Sequence, residues 1–168
     1  MVDPGVLQEN RDIIQKLRKI PTLDFFDDKD LEGILKLSRV IKYEPGESII
    51  KEGQYDNWIY FIIYGEVRIQ KHGETIGLLK RRGDIFGEMG IIDGSPRSAT
   101  ITAIKETICL LLDASYADRL PENDKVAFNC ILYQAFAQVL AGRLRIADEE
   151  LVKAKSEILS LKKRLDNA

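Results

Sequence analysis

The sequence predicts an α+β chain in which an antiparallel β jelly-roll barrel is preceded by N-terminal helices and followed by a long C-terminal helix that forms a coiled coil. Three observations lead to that class. The middle of the 168-residue chain holds short β-rich runs at even spacing, separated by turns. The first 38 residues carry apolar positions at helical spacing, and the last 55 carry a sustained heptad. The boundaries fall at 1–38, 39–113 and 114–168.

In the first segment Val6, Ile13, Ile14, Leu17 and Ile20 approximate a helical stripe, which Pro21 ends. Asp27 or Asp28 can cap a second helix bearing Leu31, Ile34, Leu35 and Leu37. The β region follows, with strands expected at Val40–Tyr43, Ser48–Lys51, Trp58–Tyr64, Val67–Lys71, Ile76–Leu79, Thr100–Ala103 and Thr107–Leu112. The dipeptides Pro45-Gly46, Glu52-Gly53, Tyr64-Gly65, His72-Gly73 and Arg82-Gly83 separate them as turns.

After Pro121 apolar residues recur from Val126 and Cys130 to Leu161 and Leu165 in alternating steps of four and three. That 3.5-residue period predicts a left-handed coiled coil. Phe128, Leu132 and Phe136 widen the apolar face of the first half, which should pack on the barrel, whereas the second half keeps only a seam. With Leu144, Leu151, Ile158 and Leu165 at a, the g and e positions match in sign as Arg143–Asp148, Glu150–Lys155 and Glu157–Lys162. Opposite charges at g and the following e position favour a parallel homodimer from about Leu140 to Leu165, although charges so matched can also be ordinary solvation of a single helix.

The stretch Phe86 to Thr100 carries the functional signal. It reads as a short helix between two strands, with Glu88 at its start and Arg97 just beyond its end. Gly87 lets a ligand approach the backbone, where the N–H groups of Glu88, Met89 and Gly90 have no earlier helical carbonyls to bond. Gly94 suits a left-handed helix end, and Pro96 holds the following residues extended. A carboxylate suits a ribose hydroxyl and an arginine fork suits phosphate oxygens, so the pair describes a nucleotide with one compact, singly charged phosphate.

These residues, Phe86-Gly87-Glu88, Gly90 and Arg97-Ser98-Ala99-Thr100, closely resemble the phosphate-binding cassette of cyclic nucleotide-binding domains. The run Pro45-Gly46-Glu47, Glu52-Gly53, Tyr60-Phe61-Ile62 and Gly65-Glu66-Val67 extends the resemblance across the β region. Leu23-Asp24-Phe25-Phe26 resembles the family's entry segment. The resemblance implies a cyclic AMP or cyclic GMP ligand, with Glu88 on the ribose 2′-hydroxyl, Arg97 on the cyclic phosphate, and the amides of Gly87, Glu88, Met89 and Gly90 completing the cradle. It also implies that the helix after the barrel moves against the cassette and supplies contacts to the base. Where family members present hydroxyl residues to the base, this helix reads Ile146-Ala147-Asp148. Asp148 can accept from guanine N1 and N2 or from the adenine amino group, or can serve instead as the interchain partner of Arg143. Ser98 can reach phosphate or a purine, or simply face solvent; it and the cassette lean towards cyclic AMP.

Composition excludes other classes. A net charge of −2 gives no general attraction to nucleic acid or to an anionic membrane. No apolar run approaches the roughly 18 residues of a spanning helix, and the N-terminus does not read as a signal peptide, so a cytoplasmic location is expected. The single histidine, His72, falls in a turn, and Cys109 and Cys130 read as core thiols. No catalytic residues, metal site or cofactor are therefore expected, and the chain reads as a non-enzymatic sensor that relays to an unidentified effector protein. Two alternatives remain: a scaffold with an unused pocket, and the sensor piece of a larger transcription regulator, kinase or channel. A chain ending at Ala168 has no room for a helix-turn-helix, so direct DNA binding is not expected.

Overall fold

A computed structural model describes residues 38–166; the helices expected between Val6 and Leu37 and the Leu23–Phe26 segment lie outside the described residues. Among the described residues, eight strands form two four-stranded antiparallel sheets. The first sheet has the order β1 (Ser38–Tyr43), β8 (Thr107–Asp113), β3 (Trp58–Tyr64), β6 (Ile85–Phe86). The second has β2 (Ser48–Ile50), β7 (Thr100–Ala103), β4 (Val67–Lys71), β5 (Glu74–Leu79).

The nearly continuous apolar runs of β3 and β8 have a simple cause, for both faces of these strands are covered. Tyr60 and Ile62 of β3, with Cys109 and Leu111 of β8, face the second sheet and pack with Val67, Ile101 and Ala103. The alternate residues Ile59, Phe61, Leu110 and Leu112 face the other way, onto a helix. A strand buried on both faces loses the alternation of polarity that marks a half-exposed one. Burial also pushes the Cys109 thiol up to about 12, so it stays protonated in the core.

That helix is α2 (Glu122–Asp166), entered through a 3-10 helix at Ala114–Arg119. A short helix, α1 (Glu88–Asp93), lies between β6 and β7. Phe128, Leu132, Ala135 and Phe136 of α2 seal the outer face of the first sheet. The 4-3 stripe is a different face. Val126 is 55% exposed and Tyr133 47%, and Leu144, Leu151, Ile158 and Leu165 are exposed beyond them. Cys130 is exposed on the same stripe, which corrects its expected place in the core. The first half of α2 thus carries two apolar faces, and only one meets the barrel.

Most strands fall where alternation and turns placed them, with β1 and β5 each beginning two residues earlier than expected. The two-residue β6 and the 3-10 helix were not anticipated, since neither is long enough to show a period.

Candidate functional site

Strand β6 delivers the site. Phe86 stacks on Tyr60 at 4.9 Å between ring centroids, and β6 pairs with β3 through Tyr60 and Phe61. The chain then turns at Gly87, whose φ is +85°, and enters α1 with Glu88 in the first turn. Gly87 is required twice over. Its conformation is left-handed, and an added Cβ would lie 2.7 Å from Arg97 Nη1 and 3.0 Å from Trp58 O. At Gly90 the same atom would meet Ser95 O at 2.9 Å. These glycines let the helix lie directly against the arginine.

Glu88 and Arg97 are only 1% and 4% exposed, and with Thr107 they are the buried polar residues among the described residues. Arg97 is held from all sides. Its Nε–H donates to Asp56 Oδ2 at 3.0 Å and Nη2 donates to Asp56 Oδ1, a side-on bidentate pair. Nη2 also donates to Trp58 O at 2.5 Å, and Nη1 donates to Gly87 O. Four of the five guanidinium N–H groups are then engaged, leaving the second Nη1 N–H for a ligand. The backbone is pinned as well: Arg97 N donates to Gln54 O at 2.7 Å, and Gly53 N donates to Arg97 O at 2.8 Å.

Asp56 is the residue that the sequence did not reveal. Burial alone would raise its carboxyl, but hydrogen bonds from Arg97 and from Trp58 N–H, with the arginine's charge, hold it below the ordinary value of 3.8. The signal for it is faint, an Asx turn two residues before Trp58 in the loop from β2 to β3.

Glu88 is held differently. Its Oε1 accepts from Arg143 Nη1 of α2 at 2.5 Å, and Arg143 Nη2 donates to Ile85 O. The heptad makes Arg143 a g residue that faces a second chain; in the structure its guanidinium turns to the barrel instead. The heptad position is unaltered, but the charge is already engaged by Glu88.

One cavity of about 260 Å³ gathers most of the anticipated residues: Gly87, Glu88, Met89, Gly90, Arg97 and Ser98 all line it, with Arg143 entering from α2. Ser98 Oγ donates to Met89 Sδ at 3.4 Å. Ile50, Ile69, Ile76, Phe86, Ala99 and Ile101 line the rest, together with Lys71. Asp148 does not line this cavity. It lies more than a turn beyond Arg143, on another surface with Glu149, Val152 and Lys153. A contact from Asp148 to a base within its own chain is therefore not supported by this geometry. Among the described residues no group of His, Cys, Asp and Glu is arranged to hold a metal ion, and no helix is long and apolar enough to cross a membrane.

Two facing antiparallel sheets, a glycine-opened short helix and a buried arginine and glutamate on one cavity define a nucleotide-binding β domain. The chain belongs to the cyclic nucleotide-binding domain family, which it matches over residues 40–124. It is 32% identical over 131 residues to a cGMP-dependent protein kinase of Toxoplasma gondii, an alignment covering 77% of this chain and 13% of that protein. It is 31% identical over 104 residues to a cAMP-dependent protein kinase regulatory subunit of Eremothecium gossypii, covering 62% and 23%. Its fold is similar to the catabolite activator protein of Thermus thermophilus, with TM-score 0.61, 28% identity and coverage of 78% of this chain and 61% of that one. The chain spans less than a quarter of the length of either kinase relative.

Proposed function

We propose that this chain is a cytoplasmic cyclic nucleotide-sensing regulatory module that binds cyclic AMP or cyclic GMP and relays binding through α2 to an unidentified effector protein. The observation that carries it is the placement of two nearly solvent-free charged side chains, Glu88 and Arg97, on one cavity. Burying a charge is costly unless it is paired, so both have partners, and each partner leaves the side chain at the cavity wall. Arg97 faces the cyclic phosphate with its remaining N–H, and the amides of Gly87 to Gly90 sit beside it. Glu88 accepts from the ribose 2′-hydroxyl. Lys71, Glu88, Arg97 and Arg143 line the cavity and Asp56 backs it, a sum of one positive charge that a monoanion neutralises. The kinase relatives, one cGMP-dependent and one cAMP-dependent, support this ligand class.

The relay follows from competition for one carboxylate. A ribose hydroxyl that hydrogen-bonds Glu88 loosens the hold of Glu88 on Arg143, and α2 is then tied to the cassette less strongly. The helix in turn forms a parallel homodimer along its exposed 4-3 seam, with jelly-roll closure of the two sheets keeping the barrel rigid against it. The pairs Glu150–Lys155 and Glu157–Lys162 set its alignment, each worth only about 0–1 kcal/mol.

Calorimetry with both cyclic purine nucleotides tests the binding. Arg97→Ala should weaken it at least about tenfold, since a hydrogen bond to a charged group contributes roughly 1.5–3 kcal/mol. Glu88→Ala should weaken binding of the ribonucleotide but not of its 2′-deoxy analogue; equal losses for both would remove Glu88 from the ribose. For the dimer, Leu151→Glu should sediment as a monomer that still binds nucleotide. A wild-type monomer at tens of micromolar, with or without ligand, would refute the seam.

A further inference from the structure

Lys71 is the one ionisable residue on the cavity that neither the cassette nor α2 explains. Val67, Ile69 and Lys71 alternate along β4, so Lys71 shares the face of Val67 and Ile69, which pack into the core between the sheets, and stands exposed at the end of that face. It lines the cavity where the strand reaches its hairpin end. A register shift between Ile69 and Gln70 leaves Ile76 of β5 opposite no residue of β4, and Ile76 lines the cavity too. Of the other polar side chains there, Glu88 and Arg143 hold each other, and Arg97 and Ser98 belong to the phosphate end. Lys71 forms no ion pair among the described residues. Its cross-strand neighbour Glu74 does not bind it, and the nearby Glu52 is engaged by His72.

Resting on the reading of the cavity as a cyclic nucleotide site, we infer that Lys71 selects the base, favouring a purine with adjacent acceptors on its N7 edge, which is guanine. An ammonium has three donors and no acceptor. Guanine offers O6 and N7 side by side, and a lysine can bridge both. Adenine replaces O6 with an amino group, so the same lysine meets one acceptor beside a donor. The isoleucines Ile69 and Ile76 supply the apolar walls for the ring, and Lys71 is the polar group among them. This opposes the lean towards cyclic AMP drawn from Ser98, which the structure occupies with Met89.

Competition binding with cyclic GMP, cyclic AMP and cyclic IMP on wild type, Lys71→Met and Lys71→Arg decides it. Cyclic IMP keeps O6 and N7 but lacks the 2-amino group, so it isolates the proposed contact. Wild type should prefer cyclic GMP and cyclic IMP over cyclic AMP by about tenfold, Lys71→Met should erase the preference, and Lys71→Arg should keep it. Lys71 is exposed at a hairpin, and an unchanged melting temperature will show that both variants fold. Equal weakening of all three ligands in Lys71→Met would make Lys71 a general cation for the phosphate and overturn the inference. A wild-type preference for cyclic AMP that Lys71→Met leaves intact would overturn it as well. Wild type binding none of the three would instead refute the cyclic nucleotide site itself.

Discussion

The two buried charges of the cavity are anchored in opposite ways. Every partner of Arg97 belongs to the β framework: Asp56 and Trp58 from the β2–β3 loop and the start of β3, and Gly87 from the turn into α1. The side-chain partner of Glu88 comes from α2, 55 residues away in sequence and on an element that leaves the barrel. One half of the site is therefore built into the scaffold, while the other is completed by the long helix that continues past the barrel. Preorganisation keeps the ordering cost of an anion small. A carboxylate shared between a ligand and a helix couples the two by competition. Attachment to the β framework and contact with α2 are divided between Arg97 and Glu88, nine residues apart.

Breaking the firm half should have the largest effect. Asp56→Ala leaves the almost wholly buried guanidinium of Arg97 without its carboxylate, and stability should fall by about 2–3 kcal/mol in urea denaturation. A loss under about 0.5 kcal/mol would mean that backbone carbonyls alone hold Arg97. Bound nucleotide should recover part of that loss, because its phosphate brings a negative charge to the same guanidinium.

Breaking the movable half should cost less and depend on ligand. Arg143 is partly exposed, so Arg143→Ala should lower the stability of the ligand-free protein by about 1–2 kcal/mol. Bound nucleotide should recover much of that, since its hydroxyl takes the vacated carboxylate. The rise in melting temperature on adding nucleotide should thus be larger for Arg143→Ala than for wild type. An identical rise would show that Glu88 and Arg143 are not in competition.

Acid titration sharpens the comparison with the smallest effect. The folded-state pKa of Asp56 is depressed, so its contribution is complete above the ordinary value of 3.8 and is lost as pH falls through the lower folded value. Urea midpoints measured from pH 5 to pH 2.5 should fall more steeply for wild type than for Asp56→Asn, by at most one proton, or about 1.4 kcal/mol per pH unit. Parallel slopes would place the acid sensitivity elsewhere.

Much of this was legible in the sequence because the signals are local. Glycine turns and β-rich runs marked the strands, and the order Gly87, Glu88, Gly90, Arg97 marked the cavity. Asp56 was not legible because it meets Arg97 across 41 residues, and an aspartate before a tryptophan in a turn looks like any Asx turn. Arg143 was legible as a charge but not as a contact. A g position and a tertiary salt bridge impose the same residue type at the same spacing, and only the rotation of α2 about its axis separates them. The double apolar face of the first half of α2 was merged for a similar reason. Two stripes on one helix add up to a single broad face when only spacing is read.

Arg143 also sits at a fulcrum. From it, 23 residues of unbroken α2 run to Asp166, a rigid arm of about 35 Å at 1.5 Å per residue. Each degree by which the helix tilts at that point carries the far end through about 0.6 Å for an arm of that length. Under the proposed relay, a change at one carboxylate too small to alter the shape of the barrel would be geared up along the arm, and an effector at its tip would receive a displacement rather than a bond.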